Sequence, residues 1–137
     1  MIMRQSYYIC LDDKEQKLNF MKKIYYLSTC STCSRIIKEL ELGEEFEYQD
    51  IKTQKITPDQ IDEMKALAGS YEQLFSRVAM KYKSLGLKEM NLQEEDYRQY
   101  ILDEYTFLKR PVFLIDNEIF VGNSKKNVAA VREQLGK

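Results

Sequence analysis

The sequence predicts an α/β domain on one mixed, four-stranded sheet, with a strand-helix-strand half followed by a strand-strand-helix half. Three observations predict it. Short apolar runs lie near both ends of the chain, apolar residues at helical spacing lie between them, and a Cys-x-x-Cys pair, Cys30 and Cys33, sits where the first run gives way to the first helical pattern.

Residues 1–20 carry no sustained period, and Met21-Lys22-Lys23 running straight into Ile-Tyr-Tyr-Leu reads like a natural protein start. On that reading Met1 to Phe20 is an upstream extension ahead of a folded domain covering 22–137, with 1–21 as its N-terminal segment, and Cys10 is incidental. The competing reading is an extra strand at Ser6 to Leu11 on a sheet edge. Strand one is expected at Lys23 to Leu27. Helix one follows at Cys33 to Leu42, with Ile36, Ile37 and Leu40 on one face and Gly43 as its stop. Glu44 to Asp50 alternates as strand two. Thr57-Pro58-Asp59-Gln60 is a helix start with Thr57 as cap, continued by Ile61, Met64, Leu67 and Ala68 and ended by Gly69. Tyr71 to Tyr82 and Glu94 to Leu108 read as helical, separated at Leu85-Gly86-Leu87. Val112 to Ile115, the turn Asp116-Asn117, and Glu118 to Val121 spell a hairpin closed by Gly122. Ser124 caps a last helix whose buried stripe is Val128, Val131 and Leu135. Order and motif together match the thioredoxin-like plan, with about 57–108 as a helical insertion packed on one end.

Composition narrows the chemistry. The net charge is −1, from 21 basic and 22 acidic residues, so there is no basic field for direct binding of nucleic acid. Three cysteines are too few for a secreted disulfide framework, and the odd count leaves a free thiol, which fits a reducing cytoplasm. Asp12, Asp13, Lys14, Glu15 and Lys17 break any apolar leader, and no segment is suited to span a membrane. With no histidine, Ser-His-Asp and Cys-His catalysis and histidine-ligated metals are excluded. A structural zinc site wants four Cys or His ligands, and only distant Cys10 could join the pair.

A thiol at a helix start is an activated thiol, because unpaired N–H groups and the positive end of the helix dipole stabilise its anion. Cys30 is therefore the expected nucleophile and Cys33, one turn on, the resolving thiol. The polar neighbours Ser28, Thr29, Ser31, Thr32 and Ser34 argue against a dry, inert pair. The same N–H groups, with the hydroxyls of Ser31 and Thr32, could cradle an oxyanion. Pro111 precedes the third strand, where the plan brings a cis peptide up against the cysteine loop. Pattern alone would favour trans. Arg110 would then lie beside the sulfurs, able to stabilise a thiolate and to fork hydrogen bonds onto an oxyanion. Taken singly, Arg110, Arg77 and Arg35 each read as solvated surface charges.

From Lys22 to about Gly136 the chain resembles the ArsC/Spx family, which includes glutaredoxin-coupled arsenate reductases and the Spx transcriptional regulators. The resemblance rests on Cys30-Ser31-Thr32-Cys33 after its strand, on Leu74-Phe75-Ser76-Arg77 with Tyr82 and Leu85-Gly86-Leu87, and on Leu108-Lys109-Arg110-Pro111-Val112-Phe113 running on to Val121-Gly122. It implies a nucleophile at Cys30 and an anion-facing Arg110 beside a cis Pro111, with Arg77 near the second anion-facing position. In the arsenate reductases a third arginine follows the last hairpin. This chain has Gly122 there, as its Spx-like relatives do. The best-known glutaredoxin-coupled members use one active-site cysteine and rely on glutathione, whereas Cys33 lets this chain resolve its own intermediate.

Two functions follow as expectations. One is a thiol-dependent reductase of an oxyanion such as arsenate, or of a small disulfide, with no bound cofactor and with electrons from thioredoxin, glutaredoxin or glutathione. The other is an Spx-like regulator in which the pair is a redox switch and the working surface docks on RNA polymerase. A third reading keeps the fold for an unrelated interaction with its thiols idle.

Overall fold

Alternation along two central strands sends side chains to opposite faces of one sheet, and each face is then covered by helices. The structure, a computed structural model, describes residues 21–137. Both the Ser6 to Leu11 strand reading and Cys10 lie outside the described residues. The elements are β1 Lys22–Tyr26, α1 Ser31–Glu39, β2 Glu47–Asp50, α2 Pro58–Ala68, α3 Met80–Ser84, α4 Glu94–Asp103, β3 Val112–Ile115, β4 Glu118–Val121 and α5 Lys125–Gln134. The strand order is β2-β1-β3-β4. β1 pairs parallel with β2, and antiparallel with β3 through Ile24 opposite Phe113 and Tyr25 opposite Val112.

With a side-chain period of two, Ile24, Phe113 and Ile115 point to one face, where Ile36 of α1, Leu40 just beyond it, and Val128 and Val131 of α5 cover them. Tyr25, Val112 and Leu114 point to the other and meet Ile61 and Met64 of α2 together with Leu74, Phe75, Ile101 and Phe107. Residues 57–108 therefore cover a whole face of the sheet, where the sequence suggested packing on one end. Every strand residue of β3 is buried, which explains its unbroken apolar run.

Local chemistry sets most boundaries. Thr57 and Gln60 form a reciprocal capping box with Pro58 in the first turn of α2. Gly69 ends that helix at φ 102°, and Asp116 and Asn117 take φ 50° and 71°, the mirror-image turn a two-residue hairpin favours. Ser124 Oγ accepts from the Asn127 N–H at 3.1 Å to cap α5. Helix α1 differs from expectation at both ends. It starts at Ser31, because Cys30 is the last extended residue, and it stops at Glu39. Glu41, rather than Gly43, takes the left-handed conformation at φ 53°. That turn lets the Leu42 N–H reach back to the Ile37 carbonyl and packs Leu42 against the core. Strand β2 is likewise shorter than Glu44 to Asp50, since the Phe46 N–H turns back to the Gly43 carbonyl.

The stretch Tyr71 to Tyr82 is not one helix. A single 3₁₀ turn at Glu72–Leu74 gives way to extended Phe75, which forms an isolated antiparallel bridge with Leu108 before α3 begins. The partner stretch also stops early, with α4 ending at Asp103 and a 3₁₀ turn at Tyr105–Phe107. Tertiary packing overrides propensity here. The Ser76 N–H donates to the Phe107 carbonyl at 2.7 Å and the Lys109 N–H to the Leu74 carbonyl at 2.8 Å. Phe75 stacks on Phe107 with ring centroids 5.0 Å apart and meets Tyr97 at 4.9 Å. Beyond this, Arg98 of α4 grips Asp62 of α2 with two hydrogen bonds, at 2.8 and 3.2 Å.

Truncating Phe75 to alanine removes a fully buried ring from the centre of this stack. Urea denaturation of Phe75→Ala is expected to show a loss of about 3–5 kcal/mol, and a loss below 1 kcal/mol would contradict the packing described.

Candidate active site

Cys30 is the N-cap of α1, at φ −94° and ψ 114°, which places Thr32 and Cys33 at the second and third helical positions. Those are the positions whose N–H groups face an N-cap side chain. Cys30 makes no capping hydrogen bond of ordinary length, and no acidic residue occupies the first turn to compete for those donors. Cys33 lies on the inward face of α1 with Ile36 and Leu40 and is 0% exposed, whereas Cys30 is half-buried and reaches solvent. Both thiols are free.

The two environments drive the two thiols apart. Partial burial works against ionisation of Cys30, but the Cys33 N–H, the Cys33 thiol, the Thr32 N–H and the charge of Arg110 outweigh it, and its pKa falls below the ordinary thiol value. Cys33 is pushed up to about 11. Burial is the main cause, opposed by the Leu27 N–H and reinforced by the negative charge and hydrogen bond of Cys30. Cys30 is thus the more readily ionised thiol and Cys33 the one that holds its proton more tightly.

The loop before Cys30 is pinned to the end of β2. The Ser28 hydroxyl donates to Asp50 Oδ2 and the Ser28 N–H to Oδ1 at 3.3 Å. The hydroxyl bond is the main reason that the Asp50 carboxyl sits below its usual range. The Cys30 N–H then turns back to the Leu27 carbonyl at 3.0 Å.

Cys30 opens on a cleft of about 470 Å³ whose lining includes Phe75, Arg77, Val78, Lys109, Arg110 and Gly122. Among the described residues, no carboxylate lines it. The bridge between Phe75 and Leu108 places Arg77 and Arg110 on adjoining segments above the sulfur. Arg110 donates through Nη1 to the carbonyls of Thr106 at 3.1 Å and Leu108 at 3.2 Å, bonds that orient its guanidinium without using Nε or Nη2. The Arg110–Pro111 peptide is cis, as position in the plan suggested, and Pro111 itself is buried beneath the cleft and does not line it. Arg77 Nη2 donates to Glu72 Oε2 at 2.7 Å and to the Tyr97 hydroxyl at 3.0 Å, so it lines the cleft while tethered from behind.

Ser31 and Thr32 stand differently from expectation. Their side chains are not part of the cleft lining, and Thr32 acts on Cys30 through its backbone N–H instead. Sequence reasoning passed over Lys109, Ser76 and Asn123 as cleft residues. Lys109 carried a signal, since it adjoins Arg110. Asn123 had none, because only the return of the hairpin brings it near. Among the described residues, no group of three His, Cys, Asp or Glu side chains is arranged to hold a metal, and no helix is long and apolar enough to cross a membrane.

Because the Arg110 charge lowers the Cys30 pKa, Arg110→Gln should raise it and slow alkylation of Cys30 by iodoacetamide several-fold at pH 7. The pH dependence of the rate reads this directly. An unmoved profile would show that the guanidinium does not act on the sulfur.

The same fold recurs in known proteins. The model of the ArsC family matches residues 25–131. Among solved structures, a Bacteroides fragilis protein described as ArsC family related has a TM-score of 0.68 at 22% identity, covering 82% of this chain and 99% of that one. An arsenate reductase (ArsC) related protein from Brucella melitensis has a TM-score of 0.64 at 22% identity, over 81% of this chain and 93% of that one. An arsenate reductase from Vibrio cholerae has a TM-score of 0.63 at 17% identity, over 82% and 98%. At these identities the likeness shows a shared thioredoxin-like fold. No curated protein matches the chain.

Proposed function

The chain belongs to the ArsC family, and from that membership we propose that it is a thiol-dependent reductase of arsenate or a like oxyanion, working in the cytoplasm with electrons from thioredoxin, glutaredoxin or glutathione. One observation carries the reading. An accessible Cys30 of lowered pKa opens on a cleft bearing Arg77, Lys109 and Arg110, with no carboxylate among its described lining residues and with a protonated Cys33 beside it.

The cations draw the oxyanion in and hold its charge while Cys30 Sγ attacks arsenic. A protonated arsenate oxygen leaves as water, and a thiol–arsenate ester remains. Forming that ester removes the Cys30 anion, one of the groups that keeps Cys33 protonated, so the ionisation of Cys33 becomes easier once Cys30 is engaged. The Cys33 thiolate then attacks Cys30 Sγ, and the sulfur–arsenic electron pair stays with arsenic. Arsenite departs two electrons reduced, and the Cys30–Cys33 disulfide awaits an external thiol. The order of events is built into the difference between the two thiols.

A second reading, an Spx-like redox regulator docking on RNA polymerase, is favoured by Gly122. The resemblance places an arginine there in the arsenate reductases, and here that wall of the cleft carries no side chain.

Incubation of the reduced protein with arsenate and NADPH, coupled to a thioredoxin or a glutaredoxin recycling system, should consume NADPH in a Cys30-dependent way. Cys30→Ser should fall to background, and Cys33→Ser should lose turnover with thioredoxin. No cysteine-dependent consumption in either system removes the reductase reading and leaves redox-dependent capture of polymerase as the result that would support the other.

A further inference from the structure

A second cleft, of about 390 Å³, lies between α1 and α5 and shares Asn123 as a wall with the Cys30 cleft. Among the described residues its cations are Arg35, Lys125 and Arg132, against one carboxylate, Glu39. Glu39 accepts from both guanidinium groups, from Arg35 at 3.4 Å and from Arg132 at 3.2 Å, which holds the two side chains together and leaves the cleft net cationic. A chain with an overall charge of −1 thus gathers two cationic trios on one continuous face, Arg77, Lys109 and Arg110 beside the thiol and Arg35, Lys125 and Arg132 beyond it.

We infer that the second cleft is the docking surface for an acidic face of the protein dithiol that reduces the Cys30–Cys33 disulfide. The inference rests on the proposal that this disulfide forms. A small oxyanion occupies only the first cleft, whereas a protein thiol that brings its sulfur to Cys30 must lay its flanking surface across the adjoining one. Charge complementarity then speeds encounter and sets orientation. Val78, 91% exposed on the rim of the first cleft, offers that partner an apolar contact. Nucleic acid fits the face less well. Among the described residues Phe75 is the only aromatic lining either cleft, and it is fully buried, so none of them offers a base a stacking platform, and a nucleic acid brings no sulfur to Cys30.

The exchange balances. A partner thiolate attacks the accessible Cys30 Sγ, the Cys30–Cys33 bond breaks, and Cys33 leaves and takes up a proton. The partner's second thiol, as its thiolate, then attacks the partner sulfur of the mixed disulfide and releases Cys30 as a thiolate. Two electrons have moved from the partner, which becomes the disulfide.

The test separates docking from chemistry. The protein is oxidised with diamide, and its reduction is followed by stopped flow with a reduced acidic thioredoxin and, separately, with dithiothreitol. The variant R35E/K125E/R132E is expected to be reduced by thioredoxin about 10-fold or more slowly at low salt, with the gap closing as salt is raised, and at the parent rate by dithiothreitol. The neutral variant R35Q/K125Q/R132Q, which adds no new like-charge contacts, should show a smaller loss of the same kind. Parent-like reduction of both variants by thioredoxin, an equal slowing with dithiothreitol, or failure of diamide to close the disulfide would each overturn the inference. So would binding of a single-stranded oligonucleotide that the charge reversal abolishes while thioredoxin reduction is untouched. Because the disulfide is made chemically, a failed arsenate assay and a failed docking test are independent results.

Discussion

The antiparallel bridge between Phe75 and Leu108 is the contact on which the site depends. Two backbone hydrogen bonds flank it, and the stack of Phe75 on Phe107 seals it from water. Without it, Arg77 and Arg110 would belong to unrelated stretches of chain separated by two helices. With it, the residue two positions beyond each bridge partner faces the cleft over Cys30. Buried backbone groups that must find partners, and aromatic rings that must leave water, therefore do the positioning.

A second constraint acts within one turn of α1. The N-cap position gives Cys30 the unpaired N–H groups of the turn that follows, and the helical period carries Cys33 under the surface to join Ile36 and Leu40. One sulfur is left wet and easier to ionise, the other dry and harder to ionise. That asymmetry needs no metal and no histidine. In the proposed reaction it assigns attack and resolution to different atoms and makes the second ionise more easily after the first has reacted.

The arginines show how much a local environment alters a residue that looks free in sequence. Arg110 is oriented by two backbone carbonyls, and Arg77 is held by Glu72 and Tyr97. Arg35 and Arg132 share Glu39. Exposed pairs of this kind add little to stability. Their effect is to hold the cationic groups in place on the walls of the two clefts.

What the sequence by itself determined was local. Strand period, the Thr57 and Ser124 caps, the Asp116-Asn117 turn and the place of Cys30 at a helix start all rest on interactions between residues a few positions apart, and each was legible there. The tertiary structure alone decided the break at Phe75, the end of α4 at Asp103, the cover that residues 57–108 give to a whole sheet face, and the place of Asn123 beside the thiol. Those outcomes turn on pairings between distant segments, whose stacking and hydrogen bonds outweigh helix propensity and leave no periodic trace in the chain.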